Sequence, residues 1–237
     1  MMARTHVLTA SLLTLAAGDL LRVNGHPGRP TSLLIAAAIA GGAALLPDLD
    51  HHSALATHAL GPVSALSSRL LRPLFGPHRH GTHSICFAVL AAVATYGVTR
   101  LPGLVWHGLR LRPTAIIVAG CVYLAIRGLG LPLLRLPGGS LALALAVSAM
   151  APVAGANAWL LSLLIGGGCL AHDVADALNE EGVPLLWPLH RPGRALWRAR
   201  LALVGPTDHW RERCVFAPAM GAGTLALAIL LLCGWPR

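Results

Sequence analysis

The stretch LLIAAAIAGGAALLPDLDHHS, residues 33–53, runs from Leu33 to Leu46 without a polar side chain, meets Pro47, and then sets Asp48, Asp50, His51 and His52 within five positions. A run of that kind is at home in lipid. Carboxylates are costly in lipid unless they are hydrated, paired or holding a cation. Their position after a helix-ending proline therefore puts a polar cluster where an apolar helix meets water. The stretch predicts a membrane protein with chemistry at its helix ends.

The whole chain fits that reading. Its 237 residues are 55% hydrophobic and 11% charged, with a mean hydropathy of +0.67, too apolar for an ordinary soluble domain. The net charge of +9 comes from arginine alone, since no lysine is present. These arginines stand in loops between apolar blocks, where they record orientation and contact with anionic head groups, so nucleic acid is not expected as a partner. Cys86, Cys121, Cys169, Cys214 and Cys233 are odd in number and show no CxxC spacing, which speaks against both a disulfide framework and a thiolate metal site.

Seven apolar blocks follow along the chain, at 7–21, 33–46, 85–98, 114–126, 141–151, 159–171 and 215–235. Several are shorter than the ~20 residues of an upright span. The expected fold is an all-α integral membrane protein: one domain over residues 1–237, a polytopic bundle of about seven transmembrane helices. With the amino terminus inside, twelve of the eighteen arginines fall on one side, which is thereby predicted to be cytoplasmic. Two longer loops, 47–83 and 180–213, lie on that same side and together could form a compact cap. The first block, with Arg4 ahead of it and Ala16, Ala17 and Gly18 at its end, has the outline of a signal peptide, but a role for His6 favours its retention.

Four of the nine acidic residues fall in two motifs, Asp48 and Asp50 above and Asp173 and Asp176 in CLAHDVADALNEEGVPLLWPL, residues 169–189. On a helix His172 and Asp176 share a face and can grip one cation, while Asp173 points about 100° away. A third cluster, HRHGTHS at residues 78–84, brings His83 to the entrance of the next apolar block. Counting crossings puts His6, Asp48, Asp50, His83, His172 and Asp176 at helix ends on one side. Imidazole with carboxylate suits a divalent ion, zinc first and manganese or iron next, and six ligands suffice for one ion or two. Such an ion activates water for attack on an ester or phosphoester. Taken singly the motifs mean less, because DxD after a proline is often a cap and an isolated HxxxD arises by chance. The glycines of IGGGCLAH read as close helix packing, since no phosphate-loop lysine follows. Asp19 and Arg22 read as an interfacial ion pair.

These motifs resemble the YdjM-type family of inner-membrane, metal-dependent hydrolases, whose members also carry a LexA-binding name. The matching residues are Thr5 and His6, Leu46 to His51 with Ser53, His78 to Ser84, His172 with Asp176, and Gly182 to Pro188. Two positions depart from the pattern: His80 replaces a glycine, displacing it to Gly81, and Asn179 stands where threonine is common. The resemblance implies a multi-pass inner-membrane location, a metal site and a phospholipase-like label.

The expected function is hydrolysis of a phospholipid or another lipid-linked ester or phosphoester. The metal ligands would be His6, Asp48, Asp50, His83, His172 and Asp176, with His51 and His78 as second choices. Arg79 would neutralise phosphate and Asp173 would accept a proton. The expected partners are membrane lipids, and the sequence leaves the oligomeric state open. Two rivals are a metal-ion transporter, whose site would lie near the membrane midplane, and a scaffold that binds metal without turnover.

Overall fold

The computed structural model describes residues 1–25, 28–106, 109–131, 137–150, 157–189 and 198–233. All seven apolar blocks form helices: α1 (Ala3–Val23), α2 (Pro30–Ala43), α5 (Ile85–Thr99), α6 (Pro113–Leu129), α7 (Pro137–Met150), α8 (Ala158–Ala177) and α9 (Ala217–Cys233). Two further helices, α3 (Leu55–Ala59) and α4 (Pro62–Phe75), occupy the first long loop. By length and composition four segments can cross a membrane, Ala3–Val23, Pro30–Asp50, Ala158–Ala177 and Glu212–Cys233, while α5, α6 and α7 are shorter apolar helices. One departure from an all-helical chain is a short antiparallel pairing of β1 (Leu104–Trp106) with β2 (Leu109–Leu111), in register Leu104 to Leu111. It falls where Pro102 and Gly103 end helical propensity and β-favouring Val105 and Trp106 follow.

Local sequence explains the element ends. Pro30, Pro62 and Pro113 each open a helix at a first-turn position, where a missing N–H costs nothing. Ser84 caps α5, accepting from Phe87 N at 3.2 Å while its hydroxyl donates to Gly81 O at 2.5 Å. Asn157 caps α8 through Trp159 N and Leu160 N.

Helices α1, α2 and α8 pack on one another at the centre, with α5 on α8, α6 on α2, α7 on α6 and α9 on α1. Between membrane helices lipid is as apolar as leucine, so association depends on close van der Waals fit and small residues. The glycines meet that need. A methyl at Gly42 would overlap the backbone of Cys121 in α6, one at Gly168 the backbone of Ala40 in α2, and Gly166 faces Ala88 and Ala92 of α5. The reading of IGGGCLAH as packing holds for Gly166 and Gly168, whereas Gly167 faces open space. Ile39, Val118, Val122, Leu161 and Ile165 fill the centre between α2, α6 and α8.

At one end of the bundle the second long loop folds back on α8 and on the start of α5, and Arg79 of the first loop donates to Glu181 and Thr207 of the second. Ile85 N donates to Leu185 O at 3.0 Å, Leu201 N to Ala177 O at 2.7 Å, and Val204 N to Leu178 O at 3.1 Å. Part of the second loop, 190–197, lies outside the described residues, as do His26, His107 and His190.

Candidate metal centre

Each motif is delivered to this end by a helix terminus. His6 lies in the second turn of α1; Asp48 and Asp50 sit in a tight 3-10 turn, Pro47–Asp50, after α2; His83 directly precedes the cap of α5; and His172 and Asp176 occupy the last turns of α8. His6, Asp50, His83, His172, Asp173 and Asp176 are all buried.

At the centre is a ring of alternating carboxylate and imidazole. Asp48 Oδ1 lies 3.6 Å from His83 Nε2 and 3.7 Å from His172 Nε2. Asp176 Oδ2 lies 3.9 Å and 3.7 Å from the same two nitrogens. His6 joins from below, its ring stacked on that of His172 and its Nε2 3.4 Å from Asp176 Oδ1, which also accepts from Met1 N at 2.6 Å. Three groups have ligand atoms mutually within 4.8 Å: His6 with Asp48 and His172; Asp48 with His78 and His83; and His83 with His172 and Asp176. Asp48, His83 and His172 each belong to two of these groups, so the groups share walls as a two-ion centre would.

The hydrogen bonds settle which ring nitrogens face inward. His172 Nδ1 donates to Ala44 O at 2.7 Å, leaving Nε2 as a free lone pair toward the ring. Thr82 Oγ1 donates to Asp50 Oδ2 at 2.5 Å, so at its 3.0 Å contact with His83 Nδ1 it must accept, and the His83 Nε2 lone pair is also free. Among the described residues Nε2 of His6, His83 and His172 has no hydrogen-bond partner although all three are buried. Unsatisfied buried acceptors beside two carboxylates are what a bound cation would satisfy. The chemistry fits: a tetrahedral ion with ~2.1 Å bonds holds its ligands ~3.4 Å apart, and the ring's edges exceed this by a few tenths of an ångström. These His and Asp groups can hold a metal ion.

Some expected residues have other places. Asp50 is not in any of the three groups; besides Thr82 it accepts from His78 Nδ1 at 2.8 Å, so its carboxylate braces two histidines instead of facing the ring. His78, a second choice from sequence, is in a group. His51 turns aside, its Nδ1 3.0 Å from Ser53 Oγ. Partial burial, then the neighbouring His78 and His52, lower its pKa below the usual imidazole value. Asp173 is in none of the three groups, yet it is buried, and both its oxygens lack a hydrogen-bond partner among the described residues. Arg79 is buried with a left-handed backbone at φ 57°, and its guanidinium is already shared: Nε lies 3.3 Å from Asp176 Oδ2, Nη1 donates to Glu181 Oε2 at 3.0 Å and Nη2 to Thr207 Oγ1 at 3.0 Å. It ties the first long loop to the second.

Three residues outside the expected ligand set help build the site. Thr82 links Asp50 to His83. Glu212, buried in a π-turn that opens the last span, accepts from Met2 N at 2.6 Å and Asp208 N at 2.8 Å, and so fixes the start of α1. An acid within an arginine-rich stretch was the available signal. Asn179 is buried, and with its amide oriented to donate it bonds Gly205 O at 3.1 Å. Asp19 pairs with Arg22 at 3.7 Å, as spacing predicted. The mouth of the centre is on the loop side, where the Asp48 and His78 side chains are 19% and 32% exposed.

No curated protein and no solved structure matches the chain. The family model described as YdjM inner membrane protein matches residues 1–235, and the motifs that build this centre lie along that whole span. By this match the chain belongs to the YdjM inner membrane protein family.

Proposed function

We propose that this protein is a metal-dependent hydrolase of the membrane interface, acting from the cytoplasmic side on a phospholipid or another lipid-linked ester or phosphoester. The observation that carries the reading is the ring of Asp48, His83, Asp176 and His172, with free imidazole lone pairs turned inward at one end of the bundle.

His6, Asp48, His78, His83, His172 and Asp176 would hold one or two divalent ions, and zinc suits the set best, with manganese or iron next. A bound ion there supplies Lewis acidity and brings the pKa of water toward ~7. The chain's own groups do the rest. Thr82 and Asp50 fix the tautomer of His83, and Ala44 O fixes that of His172. Arg79 holds Asp176 Oδ2 and locks the cap, its charge divided between Asp176 and Glu181. Asp173, buried with both oxygens unpaired among the described residues, would take a proton from the attacking water and return it to the leaving alcohol.

Transport fits less well, because transport sites lie near the midplane and these ligands gather at helix ends beside a water-exposed mouth. The test is elemental analysis of detergent-purified protein together with a screen of phospholipid and phosphoester substrates. Bound metal with turnover that a chelator abolishes is the expected result. Bound metal without turnover on any lipid ester would leave a metal-binding scaffold.

A further inference from the structure

Below the centre, α1, α2 and α8 leave a groove of about 1230 Å³ on the side of the bundle. On α8 it is lined by Leu160, Leu163, Gly167, Leu170 and Val174, a single stripe at helical spacing. At 1.5 Å per residue that stripe is about 21 Å long, more than the ~15 Å of hydrocarbon in one leaflet. Leu13 of α1 and Leu163 of α8 form its open walls, 48% and 66% exposed. Both lie inside segments able to span the membrane, so the medium against them is lipid chains.

The polar content of the groove is uneven. Thr14 satisfies its own hydroxyl on Ala10 O at 2.8 Å, whereas Ser32 and Arg29 stand at the far end. The near end closes on Ala10 and Ala171, which pack together with Ala44. Ala171 directly precedes His172, Ala10 lies one turn after His6, and Ala44 carries the carbonyl that orients His172. An extended apolar chain lying in the groove therefore ends against Ala10 and Ala171, one turn and one residue along their helices from the stacked rings of His6 and His172.

We propose that this groove binds the acyl chain of a membrane lipid whose head-group end lies at the His/Asp centre, so that the substrate is recognised by its tail as well as by its scissile bond. The proposal rests on the hydrolase reading above and narrows it to lipids with a long acyl chain. Gly167 is the adjustable point: it lines the groove and a Cβ added there meets nothing within 4 Å, so a larger side chain starts in open groove space.

The test is photolabelling of the reconstituted full-length protein with a phosphatidylglycerol that carries a diazirine midway along one acyl chain, followed by peptide mapping. Adducts are expected on the groove faces of α1 and α8. G167F should lower their yield by about tenfold, because the ring occupies the volume the chain needs. G97F, at a glycine of α5 that also has open space, should leave the yield unchanged. Metal content should stay the same in both variants, which shows that each is folded. Undiminished adducts in G167F would overturn the proposal. So would loss of adducts in R29Q but not in G167F, which would mean a lipid held from the opposite end. Adducts that persist in D176A while the native protein hydrolyses no lipid would instead sink the hydrolase reading and leave the groove supported.

Discussion

The imidazoles of His6 and His172 lie face to face, 3.7 Å between centroids and 14° between planes. This stack joins the first helix to the eighth, with Nε2 of both rings unpaired among the described residues. If the two act in one centre, His6→Ala and His172→Ala should each lower bound metal without impairing insertion, and the double variant should lose little more than His172→Ala, since residues acting as a unit are strongly non-additive. Metal content by elemental analysis is the measurement. Independent, additive losses would separate His6 from the centre.

Thr82 offers a sharper test of how His83 is held. Thr82→Val keeps the shape and removes the hydroxyl that spans His83 and Asp50. Loss of such an orienting partner typically costs 10–100-fold in metal affinity. A competition titration against a chelator should find a drop of about that size, with Thr82→Ser restoring most of it. Unchanged affinity in the valine variant would show that the bridge does not matter.

Asp173 and Asp176 lie three residues apart and should fail differently. Asp176→Ala removes a carboxylate within reach of two imidazoles, so metal and turnover should both fall. Asp173→Asn should keep its metal and lose turnover, if that carboxylate moves a proton. The pair of measurements, metal stoichiometry and rate, distinguishes a ligand from a base.

Close packing of α2 on α6 predicts a stability effect that does not involve the candidate ligands themselves. Gly42→Ala would drive a methyl into the backbone of Cys121, and forced overpacking costs about 1–3 kcal/mol. Gly120→Ala, in the same contacting helix but with open space, should be neutral or slightly stabilising. Thermal unfolding in detergent compares them, and equal midpoints would remove the packing argument.

Orientation can be read directly. Reporter fusions after Leu60 and after Leu189 should both report the cytoplasm, and one after Leu101 the outside. The first two on opposite sides would contradict the hydrogen bonds that join these loops, such as Arg79 Nη1 to Glu181 Oε2.

The membrane class, the seven apolar helices and most of the residues that could hold a metal ion were legible in the sequence itself. Hydrophobic runs and His/Asp spacings are local properties: LLPDLDHHS and HRHGTHS declare chemistry at a helix end before any contact is known. The HxxxD spacing likewise fixes a shared face for His172 and Asp176, because helix geometry alone requires it. What tertiary structure decided was which polar groups face inward. Asp50 braces instead of joining the ring because Thr82 and His78 reach it first, and Arg79 serves the cap because Glu181 and Thr207 come from a loop about a hundred residues away. The groove belongs to the same category. Gly167 reads like its neighbours Gly166 and Gly168 in sequence, and only the packing of α2 and α5 against α8 leaves it alone facing open space.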